Sequence, residues 1–289
     1  MRIEMMKEDE KQKILEYMLH YEKFSLTLYA EILHDAKSIF VLRGHFNEIH
    51  GVFSFIQGIT IHHCLPNIYG KNLIEIQNAF LLFFNEHTPK FLFSIVGEET
   101  GTKFLKEFIT KNFFKSVKSQ INYFLMEEGR FDSKKSLQKA NRQLVVEKCA
   151  ENDFDKIFEM QVAFEKEEVV IDGFKFDEDA CRERFELFLD AGAVYAGKIK
   201  NVPLCKLTVN AVGKNYALLA GIYTLEKYRN HGLAKTLVDC VCQKFHTQQK
   251  KCILFAKVNN LPALKVYDEC GFRKICNFCI IYFDKEFKR

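Results

Sequence analysis

The residues best suited to chemistry lie between positions 229 and 267. Arg229-Asn230-His231-Gly232-Leu233-Ala234-Lys235 reads as a tight basic turn that feeds a helix. Glycine at 232 and a small alanine at 234 let the backbone approach a ligand closely. The first N–H groups of a helix have no partner within it and carry partial positive charge, which suits a phosphate. Arg229 and Lys235 add mobile positive charge beside those amides. Farther on, Asn259 or Asn260 is placed to cap a second helix, with Pro262 in its first turn and Ala263, Val266 and Tyr267 on one face. A polyanion held where a strand meets a helix is the direct inference. Taken alone, the turn is equally compatible with a glycine that serves packing only.

The elements that must position these residues can be read around them. Ala217–Leu225 is almost entirely apolar, as expected of a strand buried on both faces. In the helix after the turn, Leu233, Leu237, Cys240 and Val241 share a face, while Lys235, Asp239 and Gln243 are expected to point away. A strand ending at Val258 leads to the second helix, which Cys270-Gly271-Phe272 stops with a glycine in the usual place.

Both motifs resemble the GCN5-related N-acetyltransferase (GNAT) family, in which an Arg/Gln-x-x-Gly-x-Gly/Ala turn precedes an Asn-x-x-Ala-x-x-x-Tyr helix ending in Gly-Phe. Arg229, Gly232 and Ala234 match the first, and Asn260, Ala263, Tyr267, Gly271 and Phe272 match the second. The resemblance implies a mixed α/β sheet of the acyl-CoA acyltransferase kind, opened at its central strands. It further implies acetyl-CoA as cofactor, no metal, and transfer of an acetyl group to a primary amine by direct attack.

Carried over residue by residue, the resemblance makes the turn Arg229, Asn230, His231, Gly232, Leu233, Ala234 and Lys235 the grip on the coenzyme pyrophosphate. Ile222, Tyr223 and Thr224 would run beside the pantetheine arm as a neighbouring strand would, and a strand amide would stabilise the oxyanion. Asn260 and Ala263 would border the cofactor, and Tyr267 would protonate the departing thiolate. Glu165, Glu167 and Glu168 fall where the family places the loop beside the acceptor. Glu168 or Tyr223 could then take the amine's proton, with a solvated acidic surface as the alternative for the glutamates. The sequence departs from the family at Thr224, where valine is usual, and at Glu226, where proline is common; contacts made by the main chain tolerate both. A non-catalytic acyl-CoA sensor or scaffold is the alternative function.

The chain has 289 residues, enough for two domains, and a net charge of only +4, too balanced to argue for nucleic acid. The longest apolar run, Ala79–Phe84, is too short to span a bilayer, and the charged start of the sequence has no signal core. A soluble, cytoplasmic protein is expected, without membrane partners; the acceptor amine and oligomeric state are open. The ten cysteines are scattered. Cys240-x-Cys242 and Cys276-x-x-Cys279 lack a matching second pair, so buried free thiols rather than zinc ligands are expected. His62-His63-Cys64 reads as a surface strand end.

In the amino-terminal half, helical periodicity over Lys7–Leu33 is followed by β-rich Ser38–Leu42 and Gly51–Ile61. A helix over 72–87, a strand over 91–96, a helix over 101–111 and a strand over 117–126 come next. This order repeats that of the acetyltransferase fold, so the half reads as a degenerate second copy. Leu105 stands where the other copy has Tyr267, and the phosphate turn is missing. The expected domains are therefore 1–128, a polar linker 129–142, and a coenzyme-binding domain 143–289. In that last domain the sequence predicts a strand at Leu144–Lys148, a helix capped by Asp153, a helix over Asp177–Leu189 and a hairpin around Lys200-Asn201.

Overall fold

The computed structural model describes residues 1–34, 38–56, 59–66, 68–87, 92–113, 115–129, 141, 143–171 and 174–284. Most of the expected linker, 130–140 and 142, lies outside them. The chain divides into two compact units, Met1–Leu125 with Cys276–Arg289, and Met126–Ile275.

In unit 1, β1 (Arg2–Met5), β2 (Ile39–Arg43), β3 (Ile49–Ile56) and β4 (Thr60–Cys64) pair antiparallel in sequence order. β4 then pairs parallel with β5 (Ser94–Glu98). Helices α1 (Lys11–Leu19), α2 (Leu26–Leu33), α3 (Leu73–Glu86) and α4 (Glu99–Phe113) complete the unit, with β6 (Val117–Glu128) leading out of it. The alternating apolar positions of the strands and the stripe of α3 and α4 meet in a core dominated by Phe40, Phe53, Phe80, Phe83, Phe84, Phe104 and Phe108. Aromatic rings fill this volume at edge-to-face and stacked geometry, with Phe40 and Phe83 4.7 Å apart. β1 has no counterpart among the sequence expectations; its charged residues are exposed on an edge strand.

Unit 2 repeats the pattern. β7 (Val145–Lys148), β8 (Val194–Ile199), β9 (Val202–Val212) and β10 (Tyr216–Thr224) pair antiparallel, and β10 pairs parallel with β11 (Lys251–Lys257). The β8–β9 hairpin turns on Lys200 (φ 51°) and Asn201 (φ 61°), the double left-handed turn that matches strand twist. Its helices are α5 (Phe154–Phe164), α6 (Glu178–Asp190), α7 (Leu233–His246) and α8 (Leu261–Glu269). Asp177 caps α6 by accepting from the Ala180 amide at 3.0 Å. Asp153 does not cap α5; its carboxylate accepts from the Ala150 amide and the Lys198 ammonium instead.

The last strand, β12 (Phe272–Phe283), departs from the division expected from chain order. Its second half pairs antiparallel with β5, Phe278 facing Glu98 through Tyr282 facing Ser94, and Cys279, Ile281 and Phe283 join the unit 1 core. A 12-residue strand is long enough to serve one unit at its start and the other at its end. Residues 276–289 thus cluster with unit 1, and residues 126–128 with unit 2.

Candidate functional site

The candidate site lies in unit 2, where β10 and β11 part. Their parallel ladder runs from Tyr216 opposite Lys251 to Leu219 opposite Leu254 and stops there, although β10 continues to Thr224 and β11 to Lys257. On the other side of β10, the register with β9 shifts between Ala220 and Tyr223, leaving Gly221 and Ile222 as a bulge. Gly221 takes φ +54°, and a Cβ there would meet Thr208 Oγ1 at 2.4 Å. The main chain of Ile222 is therefore free of a ladder on both sides, while Tyr223 and Thr224 return to register with Lys206 and Cys205.

From Thr224 the chain makes one short turn and reaches Asn230 (φ 64°) and Gly232 (φ 72°) before α7 begins. Gly232 offers no side chain to cap the helix. The amides of Leu233, Ala234 and Lys235 have no hydrogen-bond partner among the described residues; the first bond closes from the Thr236 amide to Gly232 O at 3.0 Å. A Cβ on Gly232 would meet no atom within 4 Å. Glycine is thus required here by backbone conformation rather than by crowding, and Asn141 reaches the same helix start, its amide donating to Thr236 Oγ1 at 2.9 Å.

The charged residues of the turn behave differently from expectation. Lys235 and Asp239 do not point away into solvent: both are buried, and Lys235 Nζ lies 3.6 Å from Glu269 of α8. The reason is that α7 packs on several strands and also on α8, so two faces are covered. Arg229 turns back over its own strand. Its Nε donates to Thr224 O at 3.2 Å, an Nη donates to Glu167 at 2.7 Å, and the guanidinium stands 5.4 Å from the Tyr223 ring centre. His231 and Asn230 are exposed, with His231 Nδ1 2.7 Å from Arg229 O.

At the start of α8, Asn260 does the capping, its Oδ1 accepting from the Ala263 amide at 3.1 Å. Its Nδ2 donates to Glu168 at 3.0 Å, and the same carboxylate takes Lys257 Nζ at 3.1 Å. Tyr267 is buried with its ring centre 6.3 Å from that of Phe272, and its hydroxyl has no hydrogen-bond partner among the described residues. Burial, reinforced by Cys270 and Glu168, pushes its pKa well above the ordinary tyrosine value, so the phenol keeps its proton. Burial likewise raises that of Tyr223, with Glu167 adding to the effect and Arg229 opposing it.

The acidic segment after α5 forms one π turn, Glu165–Val169. Each of its glutamates meets a cation: buried Glu165 takes Arg184 at 3.0 Å, Glu167 takes Arg229, and Glu168 takes Lys257. Glu165 is therefore not a solvated surface acid.

Lys206, on β9, is a residue that pattern reading missed. It is fully buried, its Nζ donating to Gln161 Oε1 at 2.6 Å and to Gly221 O at 2.8 Å, with the Phe164 ring centre 4.8 Å away. Two acceptors match the two N–H bonds of a neutral amine. Burial pulls its pKa down to about 7, against the pull of nearby Glu165. The amine ties α5 to the β10 bulge. No signal marked it, because β9 is buried over an unbroken run rather than in alternation.

In unit 1 the corresponding parallel pair is built otherwise. α3 starts from Asn72 at φ −97°, and the Glu75 carboxylate in its first turn takes the amino-terminal ammonium and His45. His63 is buried rather than on the surface. Its ring fits where a Cβ on Gly97 would come within 2.1 Å and one on Gly101 within 2.6 Å, and its Nε2 lies 2.8 Å from Thr102 Oγ1. His62 lies 2.5 Å from Glu31. Leu105 is fully buried.

A parallel pair that splits, its two strands joined through a helix with an uncapped start, is the feature that comparison with known proteins places in a class of fold. The family model described as FR47-like protein matches residues 199–281. An acetyltransferase of the GNAT family from Colwellia psychrerythraea superposes with a TM-score of 0.59 at 12% identity, covering 98% of this chain and 100% of that one. A Drosophila protein gives 0.65 at 9% identity, covering 98% of each chain. A tandem GNAT protein from the clavulanic acid biosynthesis pathway gives 0.56 at 11% identity, covering 97% of this chain and 98% of that one. No curated protein matches the sequence. The chain thus has the fold of a tandem GNAT protein, and its residues 199–281 are similar to the FR47-like family. Among the described residues, no helix is long and apolar enough to cross a membrane.

Proposed function

We propose that unit 2 binds an acyl-coenzyme A, acetyl-CoA being the simplest, and transfers its acyl group to a primary amine. The observation that carries this reading is the start of α7, where three consecutive amides stand without partners behind a left-handed glycine that nothing crowds. Such a cradle fits a diphosphate. Ile222, released from both ladders, would offer main-chain groups to an extended chain laid along β10. When bound, the thioester supplies an activated acyl carbon and a thiolate leaving group. Tyr267, kept protonated by burial, holds its phenolic proton for a departing sulfur. Asn260 and Ala263 fix the helix that carries it. Glu168 stands as the candidate to receive the amine's proton, after exchange of its contact with Lys257, whereas Tyr223, which burial keeps protonated, could only pass a proton on. Unit 1, with Glu75 at the start of α3 and His63 filled in beside β5, is assigned a structural role.

The pairing of each acid in the π turn with a cation favours a second reading, an acyl-CoA sensor without turnover. Calorimetry with acetyl-CoA and a thiol-release assay across an amine panel separate the two. The enzyme reading expects binding and release of free CoA with at least one amine class. Gly232→Ala should weaken coenzyme binding by up to about tenfold, since the free variant relaxes out of the left-handed conformation and regaining it on binding costs alanine roughly 1–2 kcal/mol. Binding without release supports the sensor. An absence of binding overturns both.

A further inference from the structure

Away from the nucleotide turn, four donor side chains of unit 2 converge from three elements. Glu128 lies at the end of β6, Cys242 and His246 lie one turn apart on α7, and Cys252 lies near the start of β11. The ligand atoms of Glu128, Cys242 and Cys252 all lie within 4.8 Å of one another, and all three residues are buried. His246 Nε2 lies 2.9 Å from Glu128 Oε2. The geometry points to a structural site for a zinc-type divalent cation, with Cys242, Cys252 and Glu128 as ligands and His246 as the fourth.

The donor set suits that ion. Two sulfurs, an imidazole and one carboxylate are the ligands zinc accepts, and they select against magnesium and calcium, which require oxygen. A tetrahedral zinc with bonds of about 2.0–2.3 Å sets its ligand atoms roughly 3.3–3.8 Å apart. The atoms of Glu128, Cys242 and Cys252 therefore have to close by up to about 1.5 Å, and His246, which lies outside that group, has to swing from its contact with Glu128 to complete the set. Cys242 and His246, at i and i+4, already share a helix face, and the Cys252 amide holds one oxygen of Glu128 at 3.4 Å. Glu128 is 2% exposed, held away from water with His246 as its partner. A divalent ion that takes both cysteines as thiolates, each thiol releasing its proton to solvent, enters without changing the net charge of this buried site. Bound there, the ion would fasten β6 and β11 to the far half of α7, the helix whose start offers the open amides.

The test is metal content of the full chain, purified reduced from zinc-supplemented cells and freed of loosely held ions. About one zinc per chain is expected, the coordination of a single four-ligand site. Cys242→Ser and Cys252→Ser should each lose it. His246→Gln, a milder change that keeps both thiols, should weaken affinity at least about tenfold in competition with a chromogenic chelator. Cobalt added to the metal-free protein should give a thiolate charge-transfer band and the visible bands of a tetrahedral ion. The proposal fails if the reduced chain neither retains zinc nor takes up cobalt. It also fails if Cys242 and Cys252 are isolated as a disulfide, or if metal persists undiminished in both serine variants.

Discussion

Replacing Lys206 with methionine should change how the protein's stability depends on pH, and the sign follows from where the amine sits. Its pKa falls from the ordinary 10.5 to about 7 because burial penalises the charged form. Between those values the unfolded chain binds a proton that the folded chain does not, so stability rises with pH across that window. The Lys206 contribution is fully present above about 10.5 and is lost as pH falls toward 7. At about 1.4 kcal/mol per pH unit, the gap amounts to roughly 5 kcal/mol as an upper bound. Methionine fills similar volume but leaves Gly221 O and Gln161 Oε1 without their donor, which costs about 1–3 kcal/mol for each buried acceptor. The variant should therefore be clearly less stable than the parent at pH 9.5. Near pH 6 the difference should shrink or reverse, because the parent then carries a buried ammonium. Urea denaturation of both proteins from pH 6 to 10 reads this directly. Parallel stability curves would refute the reasoning and mean that the amine stays charged in the fold.

Two further outcomes test other parts of the structure. Tyr267→Phe should leave folding and coenzyme affinity nearly unchanged, because the hydroxyl has no protein partner among the described residues. Its turnover should fall about 10²-fold or more, as expected for loss of a general acid, measured by thiol release. His63 has its pKa pulled down to about 3 by burial, with His62 assisting. It therefore stabilises the fold above pH 6.5, and that contribution drains away as pH falls toward 3, by up to about 1.4 kcal/mol per pH unit. His63→Gln should flatten acid denaturation below pH 6, followed by near-ultraviolet circular dichroism.

Much of this was open to reading from local chemistry. The turn residues Asn230 and Gly232 adopt left-handed backbone, Asn260 caps α8, and the Lys200-Asn201 hairpin forms, because such features depend on a few adjacent residues. Much of the order of helices and strands follows from periodicity for the same reason, although the β-rich stretch expected over Gly51–Ile61 is two antiparallel strands, Ile49–Ile56 and Thr60–Cys64. β1 escaped because its alternation of Ile3 and Met5 with Arg2 and Glu4 spans only four residues, too short a stretch to stand out. Lys235 was misplaced because a single helical stripe assumes one covered face, whereas α7 is packed on two sides.

What the sequence determined by itself was the local grammar: a strand, a turn with a left-handed glycine, and a capped helix that carries a tyrosine. Only the tertiary structure decided which distant groups meet. It placed Lys206 under the bulge at Gly221, set His63 between Gly97 and Gly101, and gave residues 276–283 to the amino-terminal unit. It also brought Glu128 to Cys242 and Cys252 across more than a hundred residues, a spacing that no zinc pattern would flag. The physical reason is that burial and long-range pairing are properties of the packed chain. A lysine or histidine looks the same in sequence whether solvent or a dry interior awaits it.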